Sequence, residues 1–126
     1  MSPPGCPCGK PLQLAQCCGR YLGTDTPAPD AESLMRSRYT AFVRLDRDYL
    51  LATWHPEHRP IDLQLDPVTK WLGLDVRSRK LTDPSHAEVE FVARCREPGG
   101  KAVRLHERSR FVKDNGRWLY FDGEML

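Results

Sequence analysis

Four of the five cysteines fall within residues 6–18, as Cys6-Pro7-Cys8-Gly9 and, with eight residues between Cys8 and Cys17, Cys17-Cys18-Gly19. Thiols clustered so tightly point to a metal rather than to disulfides. Zinc takes four ligands in a tetrahedron, and thiolates suit it. Pro7 restrains a tight turn between Cys6 and Cys8, and Gly9 lets the backbone fold back toward the metal. Residues 11–16 are expected to form a short helix or loop that delivers Cys17 and Cys18. Gly19 permits the bend that adjacent ligands require. A disulfide pair lacks an oxidising context, and the C-x-x-C spacing of thioredoxin-like redox sites is absent. Iron in place of zinc, or no metal, stays open, because all-thiolate sites accept both metals. A closed four-thiolate site leaves no open coordination position for catalysis.

The remaining sequence has the composition of a globular chain, with 40% apolar and 29% charged residues among 126. One domain with a short appendage fits that length. No run approaches the roughly 18 apolar residues of a membrane span. Residues 1–6 lack the basic and apolar regions of a secretory signal, so a cytoplasmic location is expected. A net charge of +2 gives no global drive toward nucleic acid.

Residues 1–21 form the expected zinc knuckle and residues 30–126 the main domain. Two prolines and a glycine mark residues 22–30 as a linker. Asp30 is placed to cap a helix over residues 31–45, with Leu34, Arg38, Phe42 and Leu45 on one stripe and Met35 and Tyr39 beside it. A second helix runs from Asp48 to Trp54 and stops before Pro56. A short helix is expected around residues 66–70. From Trp71 the period becomes two: Leu72, Leu74 and Val76 share one face. Turns at residues 82–85 and 98–100 separate strands, and Asn115-Gly116 is a two-residue hairpin turn. Helices followed by a four-strand meander predict an α+β fold.

The loop at 98–100 sets Cys95 opposite Val103, Ala93 opposite Leu105 and Phe91 opposite Glu107. The same register pairs Glu90 with Arg108 and Glu88 with Arg110, leaving Arg104 and His106 as a modest basic surface. Cys95 is expected in the core. The Asn-Gly turn sets Phe111 opposite Tyr120 and Val112 opposite Leu119, with Phe121 beside Arg110. Val112, Leu119 and Phe121 then form an apolar outer patch, to be covered by the knuckle or by a second copy of the chain as a homodimer.

Cys-Pro-Cys-Gly followed by Cys-Cys-Gly resembles the SEC-C motif, found in the tail of the SecA preprotein-translocase motor and in many small bacterial proteins. The resemblance implies a zinc-binding interaction module, with Cys6, Cys8, Cys17 and Cys18 as ligands. Lys10 replaces the usual serine, and Leu12, Gln13, Leu14 and Gln16 stand where basic residues are common. The strings Leu34-Met35-Arg36-Ser37-Arg38-Tyr39, Thr53-Trp54-His55-Pro56, Trp71-Leu72-Gly73-Leu74 and Glu107-Arg108-Ser109-Arg110-Phe111, in this order and spacing, resemble the bacterial YchJ-like family. That resemblance implies a nuclear-transport-factor-2-like main domain, a curved antiparallel sheet wrapped around helices as a cone.

Two functions follow. In the first, the knuckle binds a protein or ribonucleoprotein partner, near translocation or the ribosome by analogy with SEC-C proteins. In the second, the cone binds a small ligand or acts as an enzyme, with a pocket formed by Arg38, Tyr39, Trp54, His55, Glu107 and Ser109. The bland alternative for the pocket is a buried Arg38–Glu107 ion pair hydrogen-bonded by Ser109, with His55 capping a helix end. One acid and one base that neutralise each other make no complete catalytic set, so no catalytic residue is assigned and the first function is preferred.

Overall fold

A computed structural model describes residues 5–126; the first four residues of the expected knuckle lie outside the described residues. Two helices are followed by an antiparallel sheet: α1 (Ala31–Val43), α2 (Arg47–Ala52), β1 (Lys70–Asp83), β2 (His86–Arg96), β3 (Ala102–Asp114) and β4 (Arg117–Met125), the strands in sequential order. The architecture is α+β, as expected. No helix is long and apolar enough to cross a membrane among the described residues.

Asp30 caps α1, its Oδ1 accepting from Ser33 N at 2.7 Å. Leu34, Met35 and Tyr39 point from α1 into the core, against Val89, Ala93, Phe111 and Trp118 of the sheet. The apolar stripe is shorter than expected. The helix ends at Val43, and Leu45, at φ +57°, is 44% exposed. Asp46 caps α2 by accepting from Tyr49 N at 3.1 Å. Residues 53–55 then run beside β4: Tyr120 N donates to Thr53 O and His55 N to Tyr120 O, both at 2.8 Å. The helix expected around residues 66–70 does not form; Pro67 and Val68 make a turn that leads into β1.

The β2–β3 register is the one expected, including Cys95–Val103, Ala93–Leu105, Phe91–Glu107, Glu90–Arg108 and Glu88–Arg110. Cys95 is buried. The last hairpin also pairs as expected, Phe111 with Tyr120 and Val112 with Leu119. Asn115 and Gly116 both have positive φ, +51° and +76°, as the tightest hairpin turn demands.

Bulges account for what period-two reasoning missed. In β1, Trp71 pairs with Cys95 but Leu74 pairs with Ala93, so a bulge between Trp71 and Gly73 breaks the alternation. Leu72 is turned out, 47% exposed, and Trp71 takes the inward place against Tyr39 and Phe42. In β4, Arg110 pairs with Asp122 instead of Phe121. Arg110 Nε therefore donates to Asp122 at 2.5 Å, and its expected partner Glu88 is not used. Glu90 does meet Arg108, at 3.4 Å, and also His106, at 2.9 Å. The expected basic surface of Arg104 and His106 is thus reduced to Arg104, which lies opposite Arg94.

The same bulge decides the apolar patch. Phe121 packs edge-on against His58 and His55, at centroid distances of 4.4 and 5.1 Å. This chain's own segment after α2 covers Phe121, Leu119 borders a small cavity with Tyr21 and the linker, and the cysteine cluster sits on α1 and Leu74.

Candidate metal centre and cone cavity

Each thiol of the knuckle is delivered by a short backbone device. Cys6 N donates to Leu12 O at 2.7 Å and Gly9 N to Cys6 O at 3.1 Å, closing the loop around Cys8. Gly9 has φ +97°, a conformation that side-chain-bearing residues rarely adopt. Two turns of 3-10 helix, Leu14–Gln16 and Cys18–Arg20, join at Cys17. A Cβ at Gly19 would lie 2.6 Å from Leu14 O, so only glycine lets these turns close. The four Sγ atoms of Cys6, Cys8, Cys17 and Cys18 lie within 4.8 Å of one another, and all four residues are buried. The Cys8–Cys17 separation is 3.6 Å. A tetrahedral metal with M–S bonds of about 2.3 Å needs sulfurs roughly 3.8 Å apart. The donor set therefore fits a metal ion.

Electrostatics agree. A hydrogen bond from Cys18 pulls the Cys8 thiol down to about 4. Burial, then the nearby Cys8, pushes Cys17 up to about 11. The hydrogen bond to Cys8, then burial, also pushes Cys18 up. One thiolate forms easily and makes its neighbours resist ionising. Four thiolates this close need a cation among them.

The knuckle is fastened to α1. Arg36 Nη1 donates to Cys8 O at 2.8 Å, while its Nε donates to Glu32 at 2.9 Å. Thr40 Oγ1 lies 3.7 Å from Cys6 Sγ and donates to it when Cys6 is a thiolate. Leu74 of β1 packs on the cluster from the sheet side.

The cone holds a cavity of about 400 Å³. Its walls are largely aromatic: Tyr39, Phe42, Trp71, Phe91 and Phe111, with the methionines Met35 and Met125. Arg38, Trp54, Glu107, Ser109 and Tyr120 supply its polar groups. Five of the six expected pocket residues are thus brought together. His55 is not in the lining; its Nδ1 accepts from Glu57 N at 3.1 Å and its ring meets Phe121, so it caps no carbonyl of α2.

The expected Arg38–Glu107 ion pair does not form. Arg38 is buried, and its Nη1 donates to Leu50 O at 2.8 Å and Thr53 Oγ1 at 2.7 Å. Its guanidinium carbon lies 4.9 Å from the Trp54 ring centroid and 4.7 Å from that of Tyr120. Burial pulls its pKa down to about 10, so it stays cationic at neutral pH. Glu107 instead accepts from Ser109 Oγ and, at 3.4 Å, from Tyr120 OH. Burial, then Glu107, pushes Tyr120 up to about 12. Gly123 makes room for the carboxylate: a Cβ there would lie 2.6 Å from Glu107 Oε2. Sequence reasoning missed Tyr120 as a pocket residue, although its place opposite Phe111 already put it on the inward face. It missed Trp71 because the bulge could not be read.

A buried four-cysteine cluster seated on the first helix of a cavity-bearing α+β domain defines the class, a knuckle-bearing cone. Residues 30–123 match the family described as YchJ, middle NTF2-like domain. The chain belongs to this YchJ-like family. It is 64% identical to a UPF0225 protein of Polaromonas sp. over 95% of this chain and 92% of that protein. It is 55% identical to a UPF0225 protein of Bordetella pertussis over 98% and 95%. The solution structure of a SEC-C motif containing protein from Rhodopseudomonas palustris superposes with a TM-score of 0.84 at 36% identity, covering 96% of this chain and 98% of that one. A crystal structure of a SEC-C motif containing protein from Psychrobacter arcticus gives 0.76 at 31% identity, over 93% and 80%.

Proposed function

We propose that this chain is a small-ligand-binding protein of the reducing cytoplasm, with the cone cavity as its binding site and a zinc-filled knuckle as the staple of its first helix. The observation that carries this reading is Arg38. A buried guanidinium that has no carboxylate partner and borders an apolar cavity of about 400 Å³ is a recognition group more readily than a structural one. Zinc is favoured because a closed set of four buried thiolates offers tetrahedral geometry and no exchangeable position. Zinc here supplies folding free energy, and Cys6, Cys8, Cys17 and Cys18 would hold it.

Methyl NMR tests the cavity reading directly. Of the three methionines, Met35 and Met125 line the cavity. Titration of the zinc-loaded chain with indole, an apolar aromatic probe, should shift both 13C-methyl resonances saturably, and Ala93→Phe, which fills the cavity, should abolish the shifts. Met35 and Met125 methyls unmoved by millimolar indole and by its carboxylate-bearing derivative alike would end the reading. Elemental analysis should find about one zinc per chain; iron in its place would overturn the metal assignment alone.

Partner binding through the knuckle is the second reading. Its support is the exposed stretch around Lys10 and Leu12. It takes second place because the cysteine cluster itself is buried, with Leu74 of the main domain packed against it.

A further inference from the structure

Of the five N–H donors of a guanidinium, the hydrogen bonds of Arg38 use only those on Nη1. Trp54 and Tyr120 lie against it at centroid distances of 4.9 and 4.7 Å, so aromatic rings occupy its surroundings while the Nε–Nη2 edge keeps three unspent donors. That edge is the fork that matches a carboxylate in two parallel hydrogen bonds. The Trp54 ring that lies against Arg38 carries a further donor: its Nε1 is buried and has no hydrogen-bond partner among the described residues. A buried N–H without an acceptor costs free energy, and a ligand atom that accepts from it recovers that cost. Arg38 and Trp54 both border the same cavity, whose remaining walls are mainly aromatic. Glu107 forms no ion pair with Arg38; its carboxylate accepts from Ser109 and Tyr120, although its charge still acts on the guanidinium from across the cavity.

We infer that the cavity selects a small organic acid, an apolar or aromatic body carrying one carboxylate, which is held by the free edge of Arg38 and by Trp54 Nε1–H. This rests on the cavity being a ligand site and adds the charge and polarity of its occupant. An ammonium or a neutral hydrocarbon would leave those donors unspent. A ligand with two separated carboxylates would set the second against Glu107 or an aromatic wall.

The test compares indole-3-acetate with indole-3-acetamide, a neutral isostere, and with indole itself, by the Met35 and Met125 methyl shifts of the zinc-loaded chain. The acetate should bind at least about tenfold more tightly than the acetamide, which is about 1.4 kcal/mol. At saturation the Trp54 Nε1–H resonance should move downfield. Arg38→Met should bring the two affinities within about twofold while indole binding persists. Trp54→Phe keeps the cation and should weaken the acetate severalfold, which serves as the check should Arg38→Met fail to fold. Equal affinity for acetate and acetamide in the unmodified chain, or a Trp54 Nε1–H unmoved at saturation, overturns this inference and leaves the cavity reading standing. Failure of all three probes to move the methyls overturns both.

Discussion

Arg38 shows how far residue-scale reasoning from sequence reaches. Its inward stripe and its companions Glu107 and Ser109 were legible from periodicity and hairpin register. Its hydrogen-bond partners were not, because they come from Leu50 and Thr53, at the end of α2, whose placement depends on tertiary packing. The consequence is energetic. Removing one member of a buried ion pair costs about 3–5 kcal/mol, whereas exchanging a lone buried cation for an apolar side chain of similar volume also removes its desolvation penalty. Arg38→Met should therefore change stability by no more than about 2 kcal/mol, chiefly because the Leu50 carbonyl keeps only the long hydrogen bond from Thr53 Oγ1, as read from urea unfolding. A loss of 4 kcal/mol or more would restore the ion-pair picture. Gly123 makes a second case. Adding a methyl group against the Glu107 carboxylate should cost about 1–3 kcal/mol as Gly123→Ala. The cost should shrink in a Glu107→Ala background, and additive costs in that double-mutant cycle would mean the two residues do not meet.

At the scale of elements, the strands were readable where they are regular. Turn chemistry at Pro98-Gly99-Gly100 and Asn115-Gly116 was enough to fix two registers, since a slip of one residue would turn every apolar side chain outward. Bulges at Leu72 and Phe121 carry no local signal of comparable strength, and both errors in the sheet follow from them. The Asp30 cap was legible, whereas the early end of α1 was not. The seam between the knuckle and α1 could not be read at all: Arg36 looks like an ordinary surface arginine until it bridges Cys8 O and Glu32. Burial opposes ionisation of Glu32, but the hydrogen bonds from Arg36 and Arg79 outweigh it and hold its carboxyl below the ordinary carboxylate range. A depressed carboxylate stabilises the fold above its unfolded pKa and loses that contribution as pH falls through the folded value. Lowering the pH below about 4.5 should thus loosen the seam, and Glu32→Gln should flatten that part of the stability profile. A profile unchanged by Glu32→Gln would remove the seam's charge from the account.

The whole molecule joins two sites through one helix. Thr40 and Arg36 of α1 face the thiolate cluster, while Met35, Arg38 and Tyr39 border the cavity. The cysteine spacing announced the first site, because metal ligands must be specific residue types. The cavity was announced only in part, because a space between elements is written in no single segment. With a metal held by the four cysteines, joint dependence on α1 would make its loss a global event for this half of the chain, with the β2–β3 hairpin held by its own cross-strand pairs. Hydrogen exchange of the zinc-loaded chain, measured before and after zinc removal by a strong chelator, tests that link most directly. The account predicts lost protection over residues 6–22 and over α1, with β2 and β3 still protected. Unchanged protection in α1 after zinc has demonstrably left would contradict it.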